Sequence, residues 1–291
     1  MDLKKIRKTT FESFNSKRIS YIISTKNRAD KLRNALISSR NYKGINDELI
    51  VIDGESTDNT KEVVDEFIDI IDTYVSEPDI NDKEAWNKGF LLSRGKYIKQ
   101  IMDDDIFYKE ALEKAYQVME KNPEVDMIVC GGIRKQDEKE TVIYVPPGSN
   151  YGSSVDDIFK NGFTTSGMGI FFRRSLLFKV GLFEIDRPYP DVGFILRSIY
   201  IGANVKFCRI NMFYHPLSDN SITVINEKIY NKEYKSLLNR YCTERYKRIY
   251  RLKNMFWYKR LRIISKIFIS LISIKKNEEN PITPVWDEGF S

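Results

Sequence analysis

The chain has few of the residues that staple small secreted or zinc-built proteins together. Three cysteines, Cys130, Cys208 and Cys242, are scattered through 291 residues with no CxxC pair. An odd, widely spaced set supports neither a disulfide framework nor a structural zinc site, and it fits a reducing compartment. Long apolar runs are also missing. The longest, residues 263–274, is broken by Lys266 and by serines, and at about 12 residues it is too short to cross a bilayer. Residues 1–17 are polar and charged, without the apolar centre of a signal peptide. Neither GxGxxG nor GxxxxGK[ST] occurs, so there is no dinucleotide fingerprint and no P-loop. No internal repeat is present. The expected location is cytoplasmic, with peripheral attachment to the inner face of the cytoplasmic membrane as an extension of that reading.

What is present is enough for a sizeable core. Hydrophobic residues make up 42% and aromatics 13%, while the 30% of charged residues are interspersed, unlike a disordered composition. The net charge of +6 is unevenly spread: residues 226–276 hold 15 Lys/Arg against 3 Glu, which leaves 32 basic and 38 acidic residues elsewhere. A mildly acidic body thus carries a strongly basic tail, and an anionic surface is its natural partner.

Short apolar strands alternate with amphipathic helices. Residues 18–23 form a β-type run, and 29–40 have helical spacing. Residues 48–53 are apolar until Asp53, and Ser56 or Thr57 is placed to cap a helix carrying Val63, Val64, Phe67, Ile68 and Ile71. A short strand at 72–75 precedes a helix at 84–92, which Gly95 is placed to stop. Residues 96–102 are a strand, 108–121 a helix and 125–130 a strand. Strand and helix in this rhythm mean βαβ units and a mostly parallel sheet, with the strand C-termini on one edge. In such sheets ligands bind outside those C-termini. Three polar groups fall there: the segment Thr25 to Arg28, then Asp53, then Asp103, Asp104 and Asp105. Adjacent carboxylates repel, and at a strand end they make an oxygen-rich corner suited to a hard divalent cation that also carries phosphates; a solvated acidic turn is the plain alternative. The second half is mixed, with strands at 141–145 and 205–213, a short helix at 155–161, a glycine-containing loop at 166–174 that runs into an apolar strand, and Asp191 at the start of an amphipathic helix. Residues beyond 226 read as helices to about Ile274.

The segments IleSerTyrIleIleSerThrLysAsnArg (19–28), LeuIleValIleAspGlyGluSerThrAspAsnThr (49–60), SerGluProAsp (76–79) with AlaTrpAsnLysGly (85–89), and GlyLysTyrIle through Asp105 (95–105) occur in one order. PhePheArgArg (171–174), ValGlyLeuPhe (180–183) and Pro190-Asp191 complete it. In this the chain resembles the inverting family 2 glycosyltransferases of GT-A fold, over about residues 18–216. The resemblance implies an α/β, Rossmann-like, mostly parallel sheet with flanking helices as a catalytic domain (18–220). It leaves an N-terminal arm (1–17), a basic aromatic helical region (221–276) and a polar tail (277–291). It implies a UDP-type sugar donor, a glycan or lipid-linked acceptor, and Mn2+ or Mg2+. By position, Asp104 is a metal ligand, with Asp105 and His215 as further candidates. Asp103 contacts ribose or metal, Asp53 the base, Thr25, Asn27 and Arg28 the nucleotide, and Trp86 the donor side. Asp191 is the general base that deprotonates the acceptor hydroxyl. Two departures stand out: Met102 where the metal motif usually begins with Asp, and Pro190 where an acidic residue often precedes the base.

Each assignment has a structural counterpart: Asp53 as an Asx-turn residue, Asp191 as a helix cap, Trp86 as core, Arg28 as a surface charge, His215 as an ordinary strand-end residue. For the whole protein the rival is a non-catalytic nucleotide-sugar or glycan-binding module on the same fold. The aromatic, basic tail suits an interfacial helix on anionic lipid. Packing on the body is the alternative, and nucleic acid is not an expected partner.

Overall fold

The computed structural model describes residues 17–103, 106–136, 139–143, 154–161, 167–216 and 227–254. Its centre is a nine-stranded sheet in the order β3-β2-β1-β4-β8-β6-β9-β5, with β7 on β6. The strands are β1 (Ile19–Thr25), β2 (Glu48–Asp53), β3 (Thr73–Ser76), β4 (Tyr97–Ile101), β5 (Ile106–Phe107), β6 (Met127–Gln136), β7 (Lys139–Ile143), β8 (Ile170–Arg173) and β9 (Val205–Pro216). The strands β3, β2, β1 and β4 are parallel, as are β6 and β9; β8 runs antiparallel to both its neighbours, and β5 is antiparallel to β9. This is a mixed, mostly parallel α/β sheet, as the alternating pattern leads one to expect.

The nearly all-apolar β1 and β2 are explained by helices on both faces. Ile19, Tyr21, Ile23, Leu49 and Val51 face one buried cluster. It is completed by α1 (Ala29–Tyr42), α2 (Thr60–Glu66) and α4 (Lys109–Lys121) through Leu32, Leu36, Val63, Val64 and Leu112. Ile22, Ile50, Ile52 and Ile98 face the other cluster, with α3 (Asp82–Leu92), α6 (Leu176–Val180) and α7 (Pro190–Tyr200). A third cluster joins α5 (Val155–Asn161), α7 and α8 (Glu227–Tyr241) through Ile158, Phe159, Leu196, Leu237 and Leu238, and Tyr246 and Tyr250 of α9 (Glu244–Asn254) pack against it. The described part of the basic region is therefore helical and packed on the body. The remainder of the tail lies outside the described residues.

Local details correct the sequence reading. Ser56 and Thr57 do not cap α2; its N-cap is Asn59, and the Thr60 N–H goes to the Asp58 carboxylate at 3.1 Å. Nor does Gly95 stop α3, which ends at Leu92 with Ser93 as C-cap. Gly95 is a close-approach residue: a Cβ there would lie 2.6 Å from the Ser20 backbone nitrogen. Its N–H donates to the Ser20 hydroxyl (2.8 Å) and to the buried Glu48 carboxylate (3.1 Å). Tyr189 holds the N-cap position of the helix bearing Asp191 without a side-chain capping bond, and Pro190 is at the first helical position, where its fixed φ and missing N–H are no handicap.

Candidate active site

The loops after β1 and β2 interlock. Thr25 is the register partner of Asp53. The Asp53 carboxylate, 2% exposed, accepts from the Ser56 N–H (3.1 Å) and from the hydroxyls of Ser56 (2.5 Å), Ser76 (2.7 Å) and Tyr74 (3.1 Å). The Asx-turn arrangement is thus realised at Asp53. Asn27 adopts φ 51°, in the left-handed region that Asn tolerates. Its N–H donates to the Ser56 Oγ and its Oδ1 accepts from the Thr57 N–H, both at 2.7 Å. Asp58 receives the Ala29 N–H at 3.1 Å and the Thr60 hydroxyl at 2.6 Å, and the hydroxyl bond holds its carboxyl below the ordinary range. The result is a rigid rim in which Thr25 Oγ1 is buried without a hydrogen-bond partner. A buried hydroxyl left so at a strand C-terminus has hydrogen-bonding capacity to spare.

A residue that sequence reasoning did not single out completes this rim. A Cβ on Gly54 would come within 2.5 Å of the Asp79 Oδ2, so the 76–79 loop closes directly over the β2 turn. Lys26 Nζ stands 3.9 Å from that carboxylate, and burial pushes the Asp79 carboxyl up. The pairing of Gly54 with an acidic residue after β3 was the available signal.

At the next strand end Ile101 is core, Met102 packs against the α3-side cluster, and Asp103 is 3% exposed. Arg28, at the mouth of α1, reaches across β1 to hold the Asp103 Oδ1 at 2.7 Å. The structure therefore brings Thr25, Asn27, Arg28, Asp53 and Asp103 together on one sheet edge. Asp104 and Asp105 lie outside the described residues. Beyond them β5 resumes at Ile106, which pairs with Tyr214, so His215 follows on the strand flanking this corner. Among the described residues no group of three His, Cys, Asp or Glu side chains is gathered for a metal. A carboxylate such as that of Asp103 is nevertheless the hard oxygen donor that Mn2+ or Mg2+ takes. Trp86 is 4% exposed and belongs to the same buried cluster as Phe90.

On the acceptor side, Asp191 occupies the first turn of α7, where the helix dipole favours a carboxylate. Burial nonetheless pushes its carboxyl up, against the N–H groups of Val192 and Gly167, and the Asp82 carboxylate on α3 adds to the rise. α3 is joined to the segment before α7 by a reciprocal pair: Asn87 Nδ2 donates to the Phe183 carbonyl and the Phe183 N–H donates to Asn87 Oδ1, both at 2.9 Å. Glu184 then gathers Arg187 (3.2 Å), Arg197 (3.0 Å) and Arg240 (2.9 Å), which fastens α8 to this side.

Comparison with known proteins gives a consistent picture. The family model described as "Glycosyl transferase family 2" matches residues 20–181. An uncharacterized glycosyltransferase of Rickettsia prowazekii is 29% identical over 177 residues, covering 59% of this chain and 55% of that protein. The glycosyltransferase GlyG of Streptococcus pneumoniae is 33% identical over 113 residues, 37% of this chain and 36% of that one. The chain spans about half the length of the Rickettsia prowazekii and Rickettsia typhi relatives it matches. Among solved structures, Staphylococcus aureus TarS in complex with UDP-GlcNAc is similar at TM-score 0.57 and 14% identity, over 78% of this chain and 68% of that one. A Pyrobaculum calidifontis mannosyltransferase in complex with GDP-Man and Mn2+ is similar at TM-score 0.53 and 18% identity, over 70% and 58%. At these identities the likeness is one of fold.

Proposed function

The chain belongs to glycosyl transferase family 2, and from that premise we propose that it transfers a sugar, with inversion, from a nucleotide-diphosphate sugar to an acceptor hydroxyl. A UDP-linked donor and a glycan or lipid-linked acceptor are the favoured substrates. The observation that carries this reading is the convergence on one sheet edge of the buried Thr25 hydroxyl, Asp53 and the Arg28–Asp103 pair. Thr25 and Asp53 face a base or ribose there, and the Arg28 guanidinium suits a diphosphate. Asp191 takes the proton of the acceptor hydroxyl as its oxygen attacks the anomeric carbon. The bond from that carbon to the phosphate oxygen breaks, and the nucleoside diphosphate leaves. A raised carboxyl makes a better proton acceptor than an ordinary aspartate.

A divalent cation, Mn2+ or Mg2+, would be held by Asp104 and Asp105 with His215, and its charge would offset the negative charge gathering on the leaving diphosphate. Asp104→Asn should abolish both turnover and Mn2+ binding in a folded protein, the latter measured by calorimetry. Activity undiminished by chelator would remove the metal from this reading. Asp191→Asn should lower kcat about a thousandfold or more while donor affinity stays. Lost donor affinity would move Asp191 out of the base role. The rival, a binding module, draws on the apolar packing of Met102 at the start of the acidic motif. Slow hydrolysis of a UDP-sugar by the wild-type chain would dismiss it. The other departure, Pro190, fits catalysis, because it starts the helix that carries Asp191.

No helix among the described residues is long and apolar enough to cross a membrane. A surface attachment is supported by α9. Tyr246 and Tyr250 face the body, while Arg245, Arg248 and Arg251 are exposed together with Ile249 (40%) and Leu252 (52%). Cations with interspersed apolar side chains suit an anionic bilayer. Through α8 and the Glu184 cluster this face is joined to the helix of Asp191, as a lipid-linked acceptor requires.

A further inference from the structure

Lys99 lies within β4, on the strand that runs into Asp103, and it is wholly buried (0% exposed). An apolar side chain would fill such a site without the cost of taking an ammonium out of water. What an apolar side chain lacks is a donor. Lys99 Nζ donates to the Met168 carbonyl at 2.5 Å and stands 4.5 Å from the centre of the Phe107 ring. Met168 is the middle of a single 3-10 turn, Gly167–Gly169. That turn is wedged between the sheet and α7. A Cβ on Gly169 would meet the Cys130 carbonyl oxygen of β6 at 2.0 Å, and a Cβ on Gly167 would meet the Asp191 Oδ2 at 2.5 Å. The Gly167 N–H in turn donates to the Asp191 carboxylate.

We propose that Lys99 is a positioning residue for Asp191: its buried ammonium ties the Met168 carbonyl to β4 and so holds the neighbouring Gly167 amide on the Asp191 carboxylate. The catalytic part of this inference rests on Asp191 being the base; the positional part does not. One strand then carries both the acidic corner at its end and, through Lys99, the alignment of the group across the cleft. Besides burial, the groups acting on Asp191 are the amides of Val192, Gly167 and Asp191 itself and the Asp82 carboxylate of α3. When Lys99 no longer holds the turn, the Gly167 donor goes out of line. The neutral acid gains, and Asp191 titrates at higher pH.

The test uses the full chain with carbon-13 at the aspartate carboxyls, and the Asp191 signal is identified by its loss in Asp191→Asn. Lys99→Met should raise the Asp191 midpoint by about half a pH unit or more. Lys99→Gln, neutral and shorter but still an N–H donor, should raise it by less. An unmoved midpoint in the folded Lys99→Met variant overturns the inference, as does a larger rise in Lys99→Gln than in Lys99→Met. In hydrolysis of a UDP-sugar, Lys99→Met should lower kcat about tenfold with KM for the donor unchanged. A rise in KM at unchanged kcat would also overturn it. The titration needs no turnover, so a wild-type chain inert toward every nucleotide sugar would defeat the transferase reading while leaving the positional inference to be decided by the carboxyl signal.

Discussion

Asn27 shows how one polar side chain can fix two loops. Its φ of 51° is tolerable for Asn and for Gly but costly for most residues, and its amide and side chain both bind the turn after β2. Asn27→Ala should therefore cost about 1 kcal/mol in urea unfolding, and Asn27→Gly less. At Asp191 the sign of the pH effect is set by burial. The folded carboxyl is raised, so the stability it costs appears as pH rises through the ordinary carboxylate range and the raised value, and is absent below. Catalysis runs the other way: the base is lost as pH falls through that value. The acidic limb of kcat should therefore sit above the ordinary aspartate value of about 4. A limb at or below it would argue for another base.

Among elements, α3 is held to the acceptor side by the Asn87–Phe183 pair, and both partners are buried. Asn87→Ala leaves a backbone N–H and a carbonyl without their partners. It should lower stability by about 2–4 kcal/mol, seen as a fall in denaturation midpoint. The element pattern was legible in advance where periodicity was strong: β1, β2, β4, α1, α4 and the helix of Asp191 lie where alternation and spacing put them. The short β5 was not, since two residues carry no period, and its pairing with β9 is a long-range event. Nor was the antiparallel insertion of β8 legible, because strand direction leaves no mark in composition. At the candidate site, the structure brings Thr25, Asn27, Arg28, Asp53 and Asp103 to one sheet edge, as their places at successive strand ends led one to expect. Lys99 was missed because a strand lysine ordinarily reads as a solvated side chain, and Asp79 because its significance depends on Gly54 from another loop. Trp86 shows the opposite limit: an aromatic on a helix near a motif looks the same in sequence whether it meets ligand or core.

For the whole molecule, charge is segregated: the basic excess lies in residues 226–276, of which α8 and α9 are described and pack on the body. Replacing Arg245, Arg248 and Arg251 together by Glu should abolish sedimentation with phosphatidylglycerol vesicles while UDP-sugar hydrolysis is kept, and neutral vesicles should bind neither form. Binding unaffected by the triple change would confine α9 to packing. The order of the sheet has a different bearing, on how the chain comes into being. β4 ends at Ile101, yet its outer neighbour is β8, which begins only at Ile170. A nascent chain that has assembled β3, β2, β1 and β4 must therefore wait, with one strand edge bare, until the ribosome has delivered the antiparallel strand that seals it. Chains arrested before Ile170 should be prone to aggregation, and those arrested after β9 has emerged should not.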